Sequence, residues 1–455
     1  MKAVLISTYE LGRQPFGLAS PAAWLREAGV EVTCVDTSRE RLNERAVRGA
    51  NLVAFYVPMH TATRLAAELL GEIRRINPQA HICFYGLYAS VNEAWLRRMG
   101  VQTILGGEFE QGLVHLAGRL ASAKSTVATW QEESVISLSR QEFKVPNRDG
   151  LVPLNKYARV ALPSGEKLTV GYTEASRGCK HLCRHCPIVP VYKGVFRIVS
   201  HEVVVADIRQ QVAAGAQHIT FGDPDFFNGI GHAVPLVETI HQEFPRLTYD
   251  VTIKIEHLLK HSEHLRTLRE TGCLFVTSAI ESVDDMILGK LDKHHTRADF
   301  LEVVHRFRAE GLVLQPTFVP FTPWTNPEGY LDLLEVLHKI ELVENVAPIQ
   351  LAIRLLIPAG SRLLELDDIR EGVGPFDDAA MVYPWKNADR RVDDLCEEIQ
   401  GIVHASDRMG RTRARTFSLI EEAARRAAGV REAERQQPLL VSRATVPYLT
   451  EPWYC

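Results

Sequence analysis

The sequence predicts an α/β protein made of two successive strand–helix blocks and a helical end. Three observations carry that reading. The first 120 residues alternate short apolar strands with helical stretches, a second alternation with longer units begins at Leu168, and beyond Leu366 the strand pattern stops. Short apolar strands separated by helices imply a doubly wound parallel sheet, whose ligands bind at the carboxyl ends of the strands. The expected organisation is a Rossmann-type domain over 1–120, a connector over 121–167, the second block over 168–366, and a helical region over 367–455 that ends in an aromatic tail.

In the first block, strands are expected at Lys2 to Thr8, Val30 to Val35, Leu52 to Val57, His81 to Tyr85 and Thr103 to Leu105. Ser20 is placed to cap the first helix, with Pro21 at its first position and Gly29 ending it. In the connector, Pro and Asp-Gly punctuation favours extended chain, and Phe143, Leu151, Leu154 and Tyr157 predict that it lies against both domains. Six strands are expected in the second block, at Leu168 to Thr173, His218 to Phe221, Thr248 to Ile255, Leu274 to Ile280, Leu312 to Phe318 and Ile349 to Ile357. Helices between them include Val203 to Ala214, Ala298 to Ala309 and Pro327 to His338. Alternation would put Lys254 and Glu256 on one face of the third of these strands. Two helices follow, Val392 to Ala405 and an Arg/Ala/Glu-rich run from Arg411 to Arg435. The interleaved Glu421, Glu422, Glu432 and Glu434 make the latter a solvated, salt-bridged helix rather than a nucleic-acid surface.

Composition narrows the function classes. With 455 residues, 46% hydrophobic content and a formal charge of −4, the chain is an ordinary globular protein that does not suggest bulk nucleic-acid or membrane binding. No long apolar segment or small-residue cleavage site follows the opening strand, and a cytoplasmic protein is expected. The eight cysteines fit a reducing compartment better than a disulfide framework. Of these, Cys34, Cys83 and Cys273 stand in apolar surroundings, as core residues do.

Chemistry concentrates in Cys179-Lys180-His181-Leu182-Cys183-Arg184-His185-Cys186. The spacing CxxxCxxC lets one short loop wrap three thiolates around one inorganic core without a fourth ligand, leaving one iron of a 4Fe-4S cluster open. A structural zinc site would need a second Cys/His pair at zinc spacing, and the chain has none. A ferredoxin-like cluster would need a fourth cysteine, for which Cys273 and Cys396 are the candidates.

The motif resembles that of the radical S-adenosylmethionine (radical SAM) superfamily, and the six units around it then match the partial (β/α)6 barrel of those enzymes. The resemblance implies S-adenosylmethionine chelated at the open iron. One-electron reduction, by a donor such as flavodoxin or ferredoxin, would then release a 5′-deoxyadenosyl radical. Chemistry should collect at the carboxyl ends of the barrel strands. By the same resemblance Asp223 or Asp225 would meet the methionine ammonium group. Ser278, Glu281 and Ser282, in a run similar to Gly-Ile-Glu-Ser, would contact ribose and carboxylate, and Arg354 would pair with the methionine carboxylate. His185 stands where an aromatic residue usually packs against adenine. His181, His294 and His295 look exposed and receive no role.

The first block resembles the cobalamin-binding domain that precedes the barrel in many radical SAM enzymes. The matching pieces are Pro15-Phe16-Gly17-Leu18, His60-Thr61-Ala62-Thr63, Gly86 and Gly106-Gly107-Glu108-Phe109-Glu110. Glycines such as Gly86, Gly106 and Gly107 let backbone amides approach a corrin amide. The Asp-x-His-x-x-Gly motif is absent, since Tyr9-Glu10-Leu11-Gly12 follows the first strand. Cobalamin would then bind without a protein ligand on cobalt, or the domain binds nothing. A lone His60 is more often a capping or surface group.

The tail, Pro447-Tyr448-Leu449-Thr450-Glu451-Pro452-Trp453-Tyr454-Cys455, resembles those of a group of cobalamin-type radical SAM proteins ending Cys-Cys-Ala-Glu-Pro or Cys-selenocysteine-Ala-Glu-Pro. The likeness extends to Val145 to Tyr157, Arg177 to Tyr192 and Pro384-Trp385. A translation halted at a selenocysteine codon would stop at Cys455, as would a simple terminus. Cys455 is expected to act as a hydrogen-atom or electron donor at the barrel mouth, with an inert terminal cysteine as the alternative. The function expected is a radical SAM enzyme acting on a small molecule or peptide, with cobalamin-dependent methyl transfer as the leading outcome. The alternatives are radical rearrangement or peptide modification without cobalamin, and a non-catalytic iron–sulfur or cobalamin sensor.

Overall fold

The computed structural model describes residues 1–122, 133, 135–430 and 445–451. Six parallel strands form the first sheet: β1 (Lys2–Ser7), β2 (Glu31–Asp36), β3 (Leu52–Tyr56), β4 (His81–Tyr85), β5 (Thr103–Gly107) and the short β6 (Ile136–Ser137). Alternate side chains serve two cores. Val4, Ile6, Val53, Phe55, Ile82 and Phe84 face one helical layer, whereas Ala3, Leu5, Leu52, Ala54, Cys83 and Tyr85 face the other. This is why the strands read as continuous apolar runs. The order β2-β1-β3-β4-β5-β6 reverses at β1, so the crevice beyond the carboxyl ends of β1 and β3 is the natural ligand edge.

The first helix spans Phe16–Glu27, a turn earlier than expected, with Pro21 inside it rather than at its start. Proline has no N–H to give the Gly17 carbonyl four residues back. The Tyr85 hydroxyl takes that acceptor instead, at 2.8 Å, which makes the early start tolerable.

The second sheet contains β7 (Arg159–Ala161), β8 (Lys167–Thr173), β11 (His218–Phe221), β12 (Thr248–Thr252), β13 (Cys273–Glu281), β14 (Leu314–Phe318) and β15 (Tyr448–Leu449). Its order is β14-β13-β12-β11-β8-β7-β15, a curled half-barrel in which β8 and β11 to β14 are parallel and β7 is antiparallel to both its neighbours. A separate antiparallel ribbon, β9 (Ser176–Gly178) with β10 (Phe196–Ile198), brackets the cysteine loop.

Two expected strands differ. β12 ends at Thr252, and Lys254 opens a helix over Ile255–Lys260, so Lys254 and Glu256 do not alternate on a strand. In the sixth position Ile349 to Ile357 forms a 3-10 turn over Pro348–Leu351 and a single parallel bridge between Phe321 and Arg354. Pro348, opening that turn, fixes the backbone in a helical φ where a strand would have to begin.

The barrel core continues into the carboxyl-terminal helices Arg390–Arg408 and Arg413–Ala427 through Val392, Leu395, Ile399, Phe417 and Ile420. The second of these is therefore half-buried rather than wholly solvated; Arg425, itself largely buried, bridges Glu421 and Glu335, and Glu432 and Glu434 lie outside the described residues. In the connector, Phe143 and Leu154 pack on the barrel core and Leu151 on the first-domain core. The Tyr157 hydroxyl donates to Asp36 at 2.7 Å, and Arg148 pairs with Asp207.

Candidate cluster site and the crevice above it

The cysteine loop leaves β9 through Gly178, whose φ of +73° and the Val195 carbonyl, 2.4 Å from where a Cβ would stand, both require glycine. Other segments hold the loop in place. The Arg184 amide donates to Leu291 O at 3.0 Å, Arg362 donates to Leu182 O at 2.6 Å, and Lys180 Nζ donates to Asn228 O at 2.7 Å. Asn228 Nδ2 lies 3.6 Å from Cys179 Sγ. Cys183 is buried and Cys179 and Cys186 are half-buried. Burial pushes the Cys186 thiol up to about 12, and the neighbouring Cys183 and Cys179 push it the same way. Burial also raises the Cys179 thiol, and thiols that resist ionisation alone suit a cationic core, which deprotonates coordinating thiols.

A fourth cysteine is not beside them among the described residues. Cys273 lies at the opposite, amino-terminal end of β13, with its Sγ 3.3 Å from Phe275 O. Cys396 is buried on the helix Arg390–Arg408 and is contacted by Gln400. The donor set fits a cluster with one open iron.

Strand ends supply the polar groups around the loop. Glu281 closes β13 at a φ of +68°, beside a register shift against β14, and its Oε1 lies 3.1 Å from His185 Nε2 and 3.3 Å from Lys293 Nζ. Burial alone would raise the Glu281 carboxyl, but Lys293 and His185 hold it at about 2. Ser278 Oγ, Lys254 Nζ, His185 Nδ1 and His295 Nδ1 are among the buried polar atoms of the described residues without a hydrogen-bond partner, although Lys254 Nζ stands 3.6 Å from Glu256 Oε2. Orphaned donors and acceptors at the strand ends fit a ligand with carboxylate, hydroxyl and heteroaromatic groups, as S-adenosylmethionine has.

Other expected contacts are already committed to the protein. Asp223 accepts from Ser176 Oγ at 2.5 Å and from the Ala175 amide at 2.9 Å, so both its oxygens tether the start of the cysteine loop rather than facing an ammonium group. Ser282 Oγ accepts from the Asp284 amide at 3.0 Å. Arg354 turns away from the cluster. It donates to Asp393 at 2.7 Å and Trp385 O at 2.8 Å and stacks 3.6 Å above the Trp385 ring. Asp225 Oδ1 accepts from the Phe227 and Lys254 amides, while its Oδ2 faces His181 and His257. His181 and His295 are largely buried, contrary to the expectation, whereas His294 is exposed. Cys455 lies outside the described residues.

Above the loop, the ligand edge of the first sheet meets the barrel top. Between them is a cavity of about 180 Å³ walled by Phe16, Tyr56, Phe109, Tyr172, Arg177 and Tyr192. Sequence reasoning passed over the residue that closes this crevice, Arg177. Its guanidinium meets Glu110 at 2.6 Å, Glu174 at 2.8 Å and Glu108 at 3.4 Å, and lies near the rings of Phe143, Phe109 and Phe16. The strand-end glycines receive the protein's own atoms. A Cβ would stand 3.0 Å from the Tyr56 ring at Gly86, 2.3 Å from Ser90 Oγ at Gly106 and 2.2 Å from Ser137 O at Gly107. His60 Nε2 lies 2.6 Å from Ala380 O, in a loop of the carboxyl-terminal region. Ordinary small-molecule pockets run to about 300–1,000 Å³. The crevice is therefore in the right place for a corrin, but in this closed arrangement it does not fit one.

Residues 173–335 match the Radical SAM superfamily. The chain is 20% identical over 303 residues to a tRNA-2-methylthio-N(6)-dimethylallyladenosine synthase of Syntrophomonas wolfei, covering 62% of each. In fold it is similar to the cobalamin-dependent radical enzyme OxsB with aqua-cobalamin bound, at a TM-score of 0.70 and 14% identity over 89% of this chain and 67% of that one. It is also similar to the methyltransferase TsrM from Kitasatospora setae, solved with cobalamin and a 4Fe-4S cluster, at a TM-score of 0.60 and 18% identity over 75% and 70%. No described helix is long and apolar enough to cross a membrane. Through residues 173–335 the chain carries a radical SAM domain, and it shares its overall fold with cobalamin-dependent radical SAM enzymes.

Proposed function

We propose that the protein is an enzyme that reductively cleaves S-adenosylmethionine at a 4Fe-4S cluster held by Cys179, Cys183 and Cys186, and so starts radical chemistry on a small-molecule or peptide substrate. The observation that carries this reading is three thiols on one loop, near enough to act on one another's ionisation, with no fourth cysteine beside them among the described residues and orphaned polar atoms around the loop. When bound, the cluster supplies the electron that splits the sulfonium and gives a 5′-deoxyadenosyl radical. The chain's own residues orient the co-substrate. Lys254 Nζ, loosely paired with Glu256 at 3.6 Å, offers a buried cation to a second carboxylate, Ser278 Oγ offers a hydroxyl to the ribose, and the Glu281–Lys293 pair fixes His185 beside the third cysteine. Curling of the sheet and burial of these groups keep water from a reactive radical. A flavodoxin or ferredoxin is the expected electron donor, and an oxygen-sensitive cluster suits the cytoplasm.

A second reading, cobalamin-dependent methyl transfer, is favoured by the fold shared with OxsB and TsrM and by the position of the crevice at the strand ends. It requires Tyr56 and the Arg177 ion pairs to give way. The tail supports a further reading, membership of the Cys-Cys-Ala-Glu-Pro or selenocysteine group with Cys455 as donor. Protein reconstituted anaerobically with iron and sulfide should form 5′-deoxyadenosine from S-adenosylmethionine under a strong reductant. Its absence from a protein with full iron content would overturn the first reading. Failure to bind hydroxocobalamin at high micromolar concentration would remove the second.

A further inference from the structure

His181, Asp225 and His257 present three ligand atoms, His181 Nε2, Asp225 Oδ2 and His257 Nδ1, that all lie within 4.8 Å of one another. Asp225 Oδ2 is 3.2 Å from His181 Nε2 and 2.7 Å from His257 Nδ1. Despite that closeness none of the three atoms makes an aligned hydrogen bond, and each is buried. The same separations suit either N–H···O pairs, which against burial hold the Asp225 carboxyl low at about 2, or lone pairs converging on one ion, the tautomer of each imidazole deciding between them. Ligand atoms about 2.0–2.2 Å from one metal ion stand roughly 3 Å from each other, near the two separations seen.

The surroundings favour such a centre. Asp225 is wholly buried, and its other oxygen is fixed by the Phe227 and Lys254 amides, so the free oxygen cannot swing to another partner. Glu256 Oε2 lies 3.6 Å from both His181 Nδ1 and Lys254 Nζ, so a small shift would bring it into hydrogen-bond reach of the imidazole on the nitrogen away from Asp225. Each ligand comes from a different element: the loop between Cys179 and Cys183, the turn after β11, and the helix after β12.

We propose that His181, Asp225 and His257 form a second metal site, separate from the cysteine cluster, for a divalent transition ion such as zinc or ferrous iron. Two imidazoles and one carboxylate are a borderline-hard donor set suited to these ions and leave coordination positions for water or substrate. The ion ties the cluster loop to the carboxyl ends of β11 and β12. The site uses none of the three cysteines, so it stands or falls apart from S-adenosylmethionine cleavage.

The test uses the full chain and two probes. In a Cys179→Ser/Cys183→Ser/Cys186→Ser protein, cobalt(II) should bind at about one ion per chain with d–d bands but without thiolate charge transfer. Asp225→Asn or His257→Ala in that background should abolish the bands. In the unmodified chain with its cluster assembled, added zinc should remain after desalting at about one ion per cluster. Asp225→Asn should lose that zinc while keeping its iron. The second arm decides the matter if the triple variant does not fold. Cobalt bands dominated by thiolate charge transfer, zinc retention unchanged in Asp225→Asn, or no zinc retained by a protein that still forms 5′-deoxyadenosine would each overturn the site while leaving the cleavage reading intact.

Discussion

Arg177, two residues before the first cluster cysteine, holds its guanidinium 2.6 Å from Glu110 at the head of the helix that follows β5, and both side chains are buried. The pair welds the cysteine loop to the ligand edge of the first domain. Arg177→Met would leave Glu108, Glu110 and Glu174 buried without a cation, and breaking a buried pair this way costs about 3–5 kcal/mol. Urea unfolding should show that loss, together with poorer iron retention. Arg177→Lys restores charge but not the planar fork, and should recover only part of either.

Glu108 makes the same network sensitive to pH. Burial pushes its carboxyl from 4.5 up to about 7, against the pull of Arg177. The folded protein then holds this proton more tightly than the unfolded chain does. The stabilisation is complete below the unfolded value of 4.5 and is lost as pH rises through 7. Stability should fall across that window, and Glu108→Gln should flatten the profile. An unchanged slope in the variant would show that another group titrates there.

Glu281 has the opposite sign. Its carboxyl is held at about 2, so its contribution is present above 4.5 and lost as pH falls toward 2. Glu281→Gln leaves Lys293 buried and unpaired, a loss of about 3–5 kcal/mol. Adding Lys293→Met should return part of it, and a double-mutant cycle with no coupling between the two would contradict the geometry.

The parallel strands of the first sheet were legible because burial on two faces writes itself as apolar runs, as in Lys2–Ser7 and Leu52–Tyr56. The cysteine loop was legible because its spacing is local. Contacts made at long range were not. His181 reads as an exposed loop residue until the ends of β11 and β12 bring Asp225 and His257 to it, and Arg177 shows no periodic signal for its three glutamate partners. Arg354 was placed at the cluster because Ile349 to Ile357 looked like a strand. The segment makes one bridge there, and Asp393 and Trp385 of the following region take the guanidinium.

That placement of Arg354 is itself testable. Loss of its stacking on Trp385 and of two hydrogen bonds in Arg354→Ala should lower stability by about 1–3 kcal/mol. Binding of S-adenosylmethionine to the reconstituted protein, followed by calorimetry, should be unchanged. A tenfold or greater loss of affinity would return Arg354 to the co-substrate site.

The tail separates into a structural part and a chemical one. β15 extends the sheet beyond β7 and reaches β14, at the other edge, through one side-chain hydrogen bond. The Thr450 amide donates to Arg159 O at 2.8 Å, Gln315 of β14 donates to Pro447 O at 2.5 Å, and Leu449 packs against Val160, Leu168, Val170 and Phe275. A chain ending at residue 444 loses these contacts and should unfold at lower temperature. The loss should be of the order of 1–2 kcal/mol, below that of a fully buried leucine because Leu449 is only partly buried. A chain ending at residue 451 keeps β15 and the Arg39–Glu451 pair and should be more stable than the chain ending at 444. Its turnover, set beside that of Cys455→Ala, separates Cys455 from Pro452, Trp453 and Tyr454. If Cys455 delivers a hydrogen atom or electron, this chain and Cys455→Ala should both form 5′-deoxyadenosine yet accumulate less product. Equal product from all three proteins would leave the tail with extension of the sheet as its one role.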